Sequence, residues 1–144
     1  MKRTGLIIMF VVAILTACGT RYAPPVQIKS TEAKLDSGVY YNVTAADFSK
    51  MLGEKDFLLV NVHIPYAGEI PQTDLFVPYN EIEANLAEFP ADKNAKVVVY
   101  CRSGSMSAIA SAALVKQGYT NVWNVQGGMA AWEKEGNRLL QKQQ

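Results

Sequence analysis

The sequence predicts an α/β domain with a central parallel sheet of about five strands and helices on both faces. Three observations carry that prediction. Short apolar runs of strand length alternate with helical patterns from Val39 onward. Phe57 to Val62 suits a strand buried on both faces, and Val97 to Tyr100 is a second apolar run. Glycine, proline or a capping residue marks the junctions between elements. The chain has 144 residues, enough for one domain with its own core, and the folded region is expected over 39–138.

The elements follow in order. Val39 to Val43 reads as a first strand. Thr44 caps a helix over Ala45 to Leu52, with Asp47 placed as the acid of a capping box and Gly53 as the C-terminal cap. Phe57 to Val62 is a strand, and His63 to Asp74, with Pro65, Gly68 and Pro71, is a loop. Leu75 to Pro78 is a short strand, and Glu81 to Phe89 is a short acidic helix ended by Pro90. Its Glu81, Glu83 and Glu88 read as a solvated face. Lys96 to Tyr100 is the strand that delivers Cys101. Ser107 to Gln117 is a helix with Ile109, Ala112, Ala113 and Val115 as a small apolar face toward the sheet, capped by Gly118. Asn121 to Val125 is a strand, and Gly127-Gly128 turns into a last helix, Met129 to Glu135. Trp123 and Trp132 are expected to pack on the core, while Tyr66, Phe76 and Tyr79 are candidates for a pocket mouth. Residues 139–144 read as a polar tail.

The start of the chain reads differently. Lys2-Arg3 precedes an unbroken apolar run from Leu6 to Leu15, too short to span a bilayer but suited to a secretory signal over 1–17. Leu15-Thr16-Ala17-Cys18 resembles the bacterial lipoprotein processing box, which implies cleavage before Cys18 and lipidation of its thiol. Residues 18–38, with Pro24-Pro25 and little apolar periodicity, read as the lipidated cysteine and a flexible tether. The expected location is the cell envelope, with the domain outside the cytoplasm on a bacterial membrane. Loss of Lys2 and Arg3 from the 14 basic residues leaves 12 against 13 acidic, so the mature chain is near −1. Neither that balance nor the formal +1 of the whole chain points to nucleic acid.

Cys101 is the residue that carries chemistry. It stands at the end of the apolar run Val97 to Tyr100, and it opens Cys101-Arg102-Ser103-Gly104-Ser105-Met106-Ser107, directly before a helix. Sites in open α/β sheets lie beyond the carboxyl ends of strands. A loop of this kind turns backbone N–H groups inward, and the helix start adds its positive pole, so the loop is an anion cradle with a nucleophile at its base. With Cys18 lipidated, Cys101 has no partner for an internal disulfide, which removes structural bridging as its reason.

With these elements placed, the chain resembles the rhodanese-like sulfurtransferase domain over about 40–138. The resemblance rests on Val97-Val98-Val99-Tyr100-Cys101-Arg102-Ser103-Gly104 with Ser107-Ala108, and on Gly118-Tyr119, Asn121-Val122, Gly127-Gly128-Met129 and Ala131-Trp132. It implies that Cys101 attacks the outer sulfur of a donor and carries that sulfur as a persulfide. Arg102, Ser103, Gly104, Ser105, Met106 and Ser107 would hold the sulfur anion. Gly104 permits the inward-turned backbone, Ser103, Ser105 and Ser107 add hydroxyls, and Ser107 is placed to cap the helix. Arg102 either binds the donor anion or steers it from solvent.

The chain departs from the family pattern at Asn61, where an acidic residue is usual, and at His63, where a basic residue is usual. It departs again at Gly68-Glu69-Ile70-Pro71, and at Met106, where an arginine is common.

Rival cysteine chemistries are tested by spacing. Phosphoryl transfer needs an arginine where Ser107 stands, and a dithiol motif needs a cysteine where Gly104 stands. A Cys–His dyad would need His63, which reads better as a loop-packing residue. One Cys and one His do not make a zinc site without several carboxylates, so no metal or organic cofactor is expected. The expected function is extracytoplasmic transfer of sulfane sulfur from small sulfur-containing anions such as thiosulfate or a polysulfide. The acceptor would be cyanide, a thiol or a partner protein. The alternatives are a catalytically weak binding or scaffold module, and a redox sensor in which Cys101 is oxidised and then capped by a small thiol.

Overall fold

The computed structural model describes residues 26–141. Its elements are β1 (Ser30–Leu35), β2 (Gly38–Val43), α1 (Ala45–Gly53), β3 (Leu58–Asn61), β4 (Leu75–Phe76), a 3₁₀ segment (Glu83–Glu88), β5 (Val97–Tyr100), α2 (Ser105–Lys116), β6 (Val122–Val125) and α3 (Gly128–Lys134). The sheet order is β1-β2-β6-β5-β3-β4. From β2 to β4 every neighbouring pair is parallel, which is the five-stranded core expected from the apolar runs. β1 adds a sixth strand, antiparallel to β2, and makes the sheet mixed.

β5 lies at the centre and all four of its residues are buried. Its side chains alternate between two cores. Val97 and Val99, followed by Cys101, face α2 residues Ala110, Leu114 and Val115 and the Ile82–Phe89 segment. Val98 and Tyr100 face Phe48 and Met51 of α1 and Met129 and Trp132 of α3. Helices therefore cover both faces. Among the described residues, no helix is long and apolar enough to cross a membrane. The signal segment 1–17, Cys18 and the start of the tether lie outside the described residues.

Several expectations are corrected. Residues 30–35, read as tether, form β1, with a tight turn at Asp36-Ser37 and Leu35 registered on Gly38. This edge strand half-buries only Ala33 and Leu35, so it lacks a strong apolar signal. In α2 the buried residues are Ser107, Ala110, Ser111, Leu114 and Val115, while Ile109 is 55% exposed. α2 is rich in small and apolar residues all round, so periodicity could not choose the buried face. Glu81 to Phe89 narrows to 3₁₀ turns kinked at Asn85, whose side-chain amide donates to the Glu81 carbonyl at 2.8 Å. Gly53 ends α1 inside the helix and Glu54 is its cap. At the other end, Leu139 of the expected polar tail packs on the second core, and Leu140 exchanges two backbone hydrogen bonds with Glu69.

Two caps match the sequence. At α2 the Gly118 N–H donates to Val115 and the Tyr119 N–H to Leu114, a Schellman pattern with Gly118 at φ +89°. At α1 the Thr44 Oγ1 accepts the Asp47 N–H at 3.2 Å. Thr44→Ala should therefore lower stability by about 1 kcal/mol. A thermal melt should show this as a fall of roughly 4–8 °C for a domain of this size, and an unchanged melting temperature would remove the cap from the stability account.

Candidate active site

Cys101 is the first residue past the carboxyl end of β5 and is 1% exposed. Two donors point at its sulfur. The Gly104 N–H lies 3.0 Å from Sγ, and the Ser107 hydroxyl lies 3.4 Å from it and 3.1 Å from the Gly104 carbonyl. Gly104 sits at φ +98°, a conformation that turns its N–H back toward Sγ and that side-chain-bearing residues rarely adopt. It is also the residue that opens α2, so the helix starts at Ser105 with no side-chain cap. Ser107 therefore does not cap the helix, as the sequence suggested; its hydroxyl is spent on the sulfur and the loop backbone. Together these groups present a hydrogen-bond donor and a helix start to any negative charge on Sγ.

The remaining loop residues separate by role. Ser103 and Ser105 are exposed, with their hydroxyls 3.2 Å apart. Met106 is half-buried and packs against the core on the α2 side. Arg102 is exposed.

α3 holds the loop from behind. The Met129 N–H donates to the Cys101 carbonyl at 2.8 Å, and the Ala130 N–H donates to the Arg102 carbonyl at 2.9 Å. The first-turn amides of α3 thus find their acceptors in the active loop. This close approach explains Gly127-Gly128, both at positive φ. A Cβ on Gly128 would overlap the Cys101 carbonyl oxygen and lie 2.8 Å from its carbon.

The loop after β3 departs from the family pattern and has its own internal ties. Asn61 is fully buried; its amide donates to the Gly68 carbonyl at 3.1 Å and its side-chain oxygen accepts the His63 N–H at 3.0 Å. The Tyr100 hydroxyl accepts the Ile70 N–H at 3.0 Å and shares a 2.7 Å hydrogen bond with Thr73. Burial pushes the Tyr100 phenol far above its ordinary range, so it stays neutral. Burial, reinforced by the Arg102 charge, pushes His63 below its ordinary range, so its imidazole is neutral at pH 7.

The suggested aromatic pocket mouth is not what forms. Tyr66 and Phe76 pack edge to face, with centroids 5.6 Å apart, and Tyr79 packs on the core. Trp132 is buried, and Trp123 lies against Tyr41, as expected of packing residues. The space beside Arg102 is instead a polar concavity of about 720 Å³, with Glu133, Asn137, Arg138 and Gln141 on its walls. These four residues were not singled out from the sequence. Glu133 is on α3, which already abuts the loop, and the segment with Arg138 and Gln141 is held by the pairing of Leu140 with Glu69, a contact between distant segments that no local pattern announces.

This arrangement suits a nucleophilic cysteine that takes up and holds an anionic group. Comparison with known proteins points the same way. The rhodanese-like domain model matches residues 44–135. A sulfurtransferase of Allochromatium vinosum is 39% identical over 90 residues, covering 60% of this chain and 81% of that protein. The thiosulfate sulfurtransferase GlpE of Pseudoalteromonas translucida is 27% identical over 99 residues, covering 65% and 90%. Among solved structures, a rhodanese-like domain protein of Staphylococcus aureus aligns with a TM-score of 0.57 at 30% identity, covering 69% of this chain and 98% of that one. A rhodanese-related protein of Thermoplasma volcanium aligns with a TM-score of 0.60 at 26% identity, covering 70% and 98%. A match over most of the described fold, with sulfurtransferases among the relatives, makes this chain a member of the rhodanese-like domain family.

Proposed function

We propose that this protein is a sulfurtransferase that moves sulfane sulfur through a Cys101 persulfide. The observation that carries the reading is the Gly104 N–H aimed at Cys101 Sγ from 3.0 Å, on a loop that opens a helix. With thiosulfate, the Cys101 thiolate attacks the outer sulfur. The S–S bond of the donor breaks, sulfite leaves with the bonding pair, and Cys101 keeps the transferred sulfur as a persulfide anion. The Gly104 N–H and the Ser107 hydroxyl point at Sγ and so favour the attacking thiolate, and the start of α2 favours negative charge on the sulfur added beside it. A thiophilic acceptor (cyanide, a small thiol or a partner protein) then removes the sulfur and restores the thiolate. The step needs no metal and no organic cofactor. Thiosulfate and polysulfides are the proposed donors, and the name of the Pseudoalteromonas relative supports the first. Arg102, exposed next to the nucleophile and lining the adjoining concavity, supplies a positive charge that supports anionic donors. The processing-box pattern ending at Cys18 supports a lipid-anchored protein in the bacterial cell envelope.

Intact mass of the full chain tests the reading. Incubation with thiosulfate or a polysulfide should add one sulfur, and cyanide should remove it. A folded protein with a titratable Cys101 thiol and no mass gain from either donor would overturn it.

A further inference from the structure

The concavity beside Arg102 is larger than a donor such as thiosulfate requires. Its volume of about 720 Å³ is in the range of sites for ligands tens of atoms in size. It contains two guanidinium groups, Arg102 and Arg138, and one carboxylate, Glu133. Among the described residues, Arg102, Arg138 and Glu133 form no ion pair. Their charges are open to a charged ligand that enters the concavity.

The wall that carries Arg138 is held in place. The Trp132 indole N–H donates to the Arg138 carbonyl at 3.0 Å. Two residues on, Leu140 and Glu69 exchange backbone hydrogen bonds at 2.7 and 2.8 Å. Trp132 is itself buried in the core beneath the site. A fixed backbone under a charged side chain is what a recognition site needs. Arg102 belongs both to this concavity and to the Cys101 loop, so a ligand seated here is adjacent to the nucleophile's loop.

We propose that this concavity is the subsite for the body of a zwitterionic low-molecular-weight thiol, the acceptor of the Cys101 sulfur. Arg138, with Arg102, takes its carboxylates, and Glu133 takes its ammonium group. The identity of the acceptor rests on the sulfurtransferase reading; the binding of a zwitterion does not. In the transfer, the Cys101 persulfide anion takes a proton from solvent, and the acceptor thiolate then attacks its terminal sulfur. The S–S bond breaks with its electron pair on Cys101 Sγ. The proton stays on the moved sulfur, and a small-molecule persulfide leaves. No oxidant or reductant is consumed.

S-methylglutathione, a zwitterion of this class whose blocked sulfur cannot react, is the direct probe. Titrated calorimetrically into the full chain, it should bind saturably. Arg138→Ala should weaken that binding about tenfold, as loss of a charge-assisted hydrogen bond does. Glu133→Gln should weaken S-methylglutathione but not 3-(methylthio)propanoate, which lacks the ammonium group. In turnover, Arg138→Ala should lower the preference for glutathione over 2-mercaptoethanol by a similar factor. Absence of saturable binding, or binding indifferent to Arg138, would overturn the subsite. A chain that binds S-methylglutathione through Arg138 but never gains sulfur on Cys101 would instead overturn the sulfurtransferase reading and leave the subsite standing.

Discussion

Cys101→Ser should give a folded protein that gains no sulfur from any donor. The substitution exchanges one buried atom for a smaller one in a position that is 1% exposed. The serine oxygen can still accept from the Gly104 N–H and the Ser107 hydroxyl. Stability should therefore change by less than about 1.5 kcal/mol, the range of near-isosteric swaps. Chemistry should vanish, because a serine hydroxyl is not ionised near neutral pH and its oxygen is a poor partner for sulfane sulfur. Intact mass after exposure to thiosulfate or polysulfide reads the loss, and a thermal melt checks the fold. Residual sulfur uptake in the variant would place the carrier elsewhere. A partner protein still captured by the variant would support the binding-module reading.

Gly128→Ala should damage both stability and sulfur uptake, although it adds only one methyl group. Gly128 sits at φ +52°, and its Cβ would overlap the Cys101 carbonyl oxygen and lie 3.0 Å from the Arg102 carbonyl carbon. All of these are backbone atoms of the active loop, so no side chain can swing aside. Relief requires α3 to lift from the loop or the loop to move, with loss of the Met129 and Ala130 hydrogen bonds. The combined cost is on the order of 3 kcal/mol. Gly53→Ala is the control. Gly53 lies inside α1 with open space where its Cβ would be, and the change should be neutral or mildly stabilising. Urea unfolding of the two variants, followed by mass after donor exposure, tests the pair. Equal stability of Gly128→Ala and the wild type would mean that the close approach of α3 to the loop is not what fixes Cys101.

The parts of this site that the sequence revealed are the parts built from neighbours in the chain. β5, the turn at Gly104 and the start of α2 follow one another directly, so an apolar run, a glycine and a helical pattern were enough to place Cys101. The double glycine was visible as a motif, but its reason is the three-dimensional contact of Gly128 with Cys101. β1 was hidden because it is a polar edge strand, where only one face is half-buried. The buried face of α2 was hidden because Ser107 and Ser111 are on it, each with its hydroxyl satisfied inside the fold. Arg138 was hidden because its segment is held by the pairing of Leu140 with Glu69, far away in sequence, and Glu133 because α3 is brought to the loop by backbone hydrogen bonds that carry no side-chain signal.

The hydrogen bonds from Met129 and Ala130 to the Cys101 and Arg102 carbonyls also bear on how the site moves in time. These two amides can exchange with solvent deuterium only when the start of α3 separates from the nucleophile's loop. Their exchange rates therefore measure local opening of the active site, separately from unfolding of the whole domain. A persulfide anchored by Gly104 and Ser107 should slow them, and removal of that sulfur should restore them. Two backbone amides that never touch substrate would then act as a clock for the sulfur-loaded state.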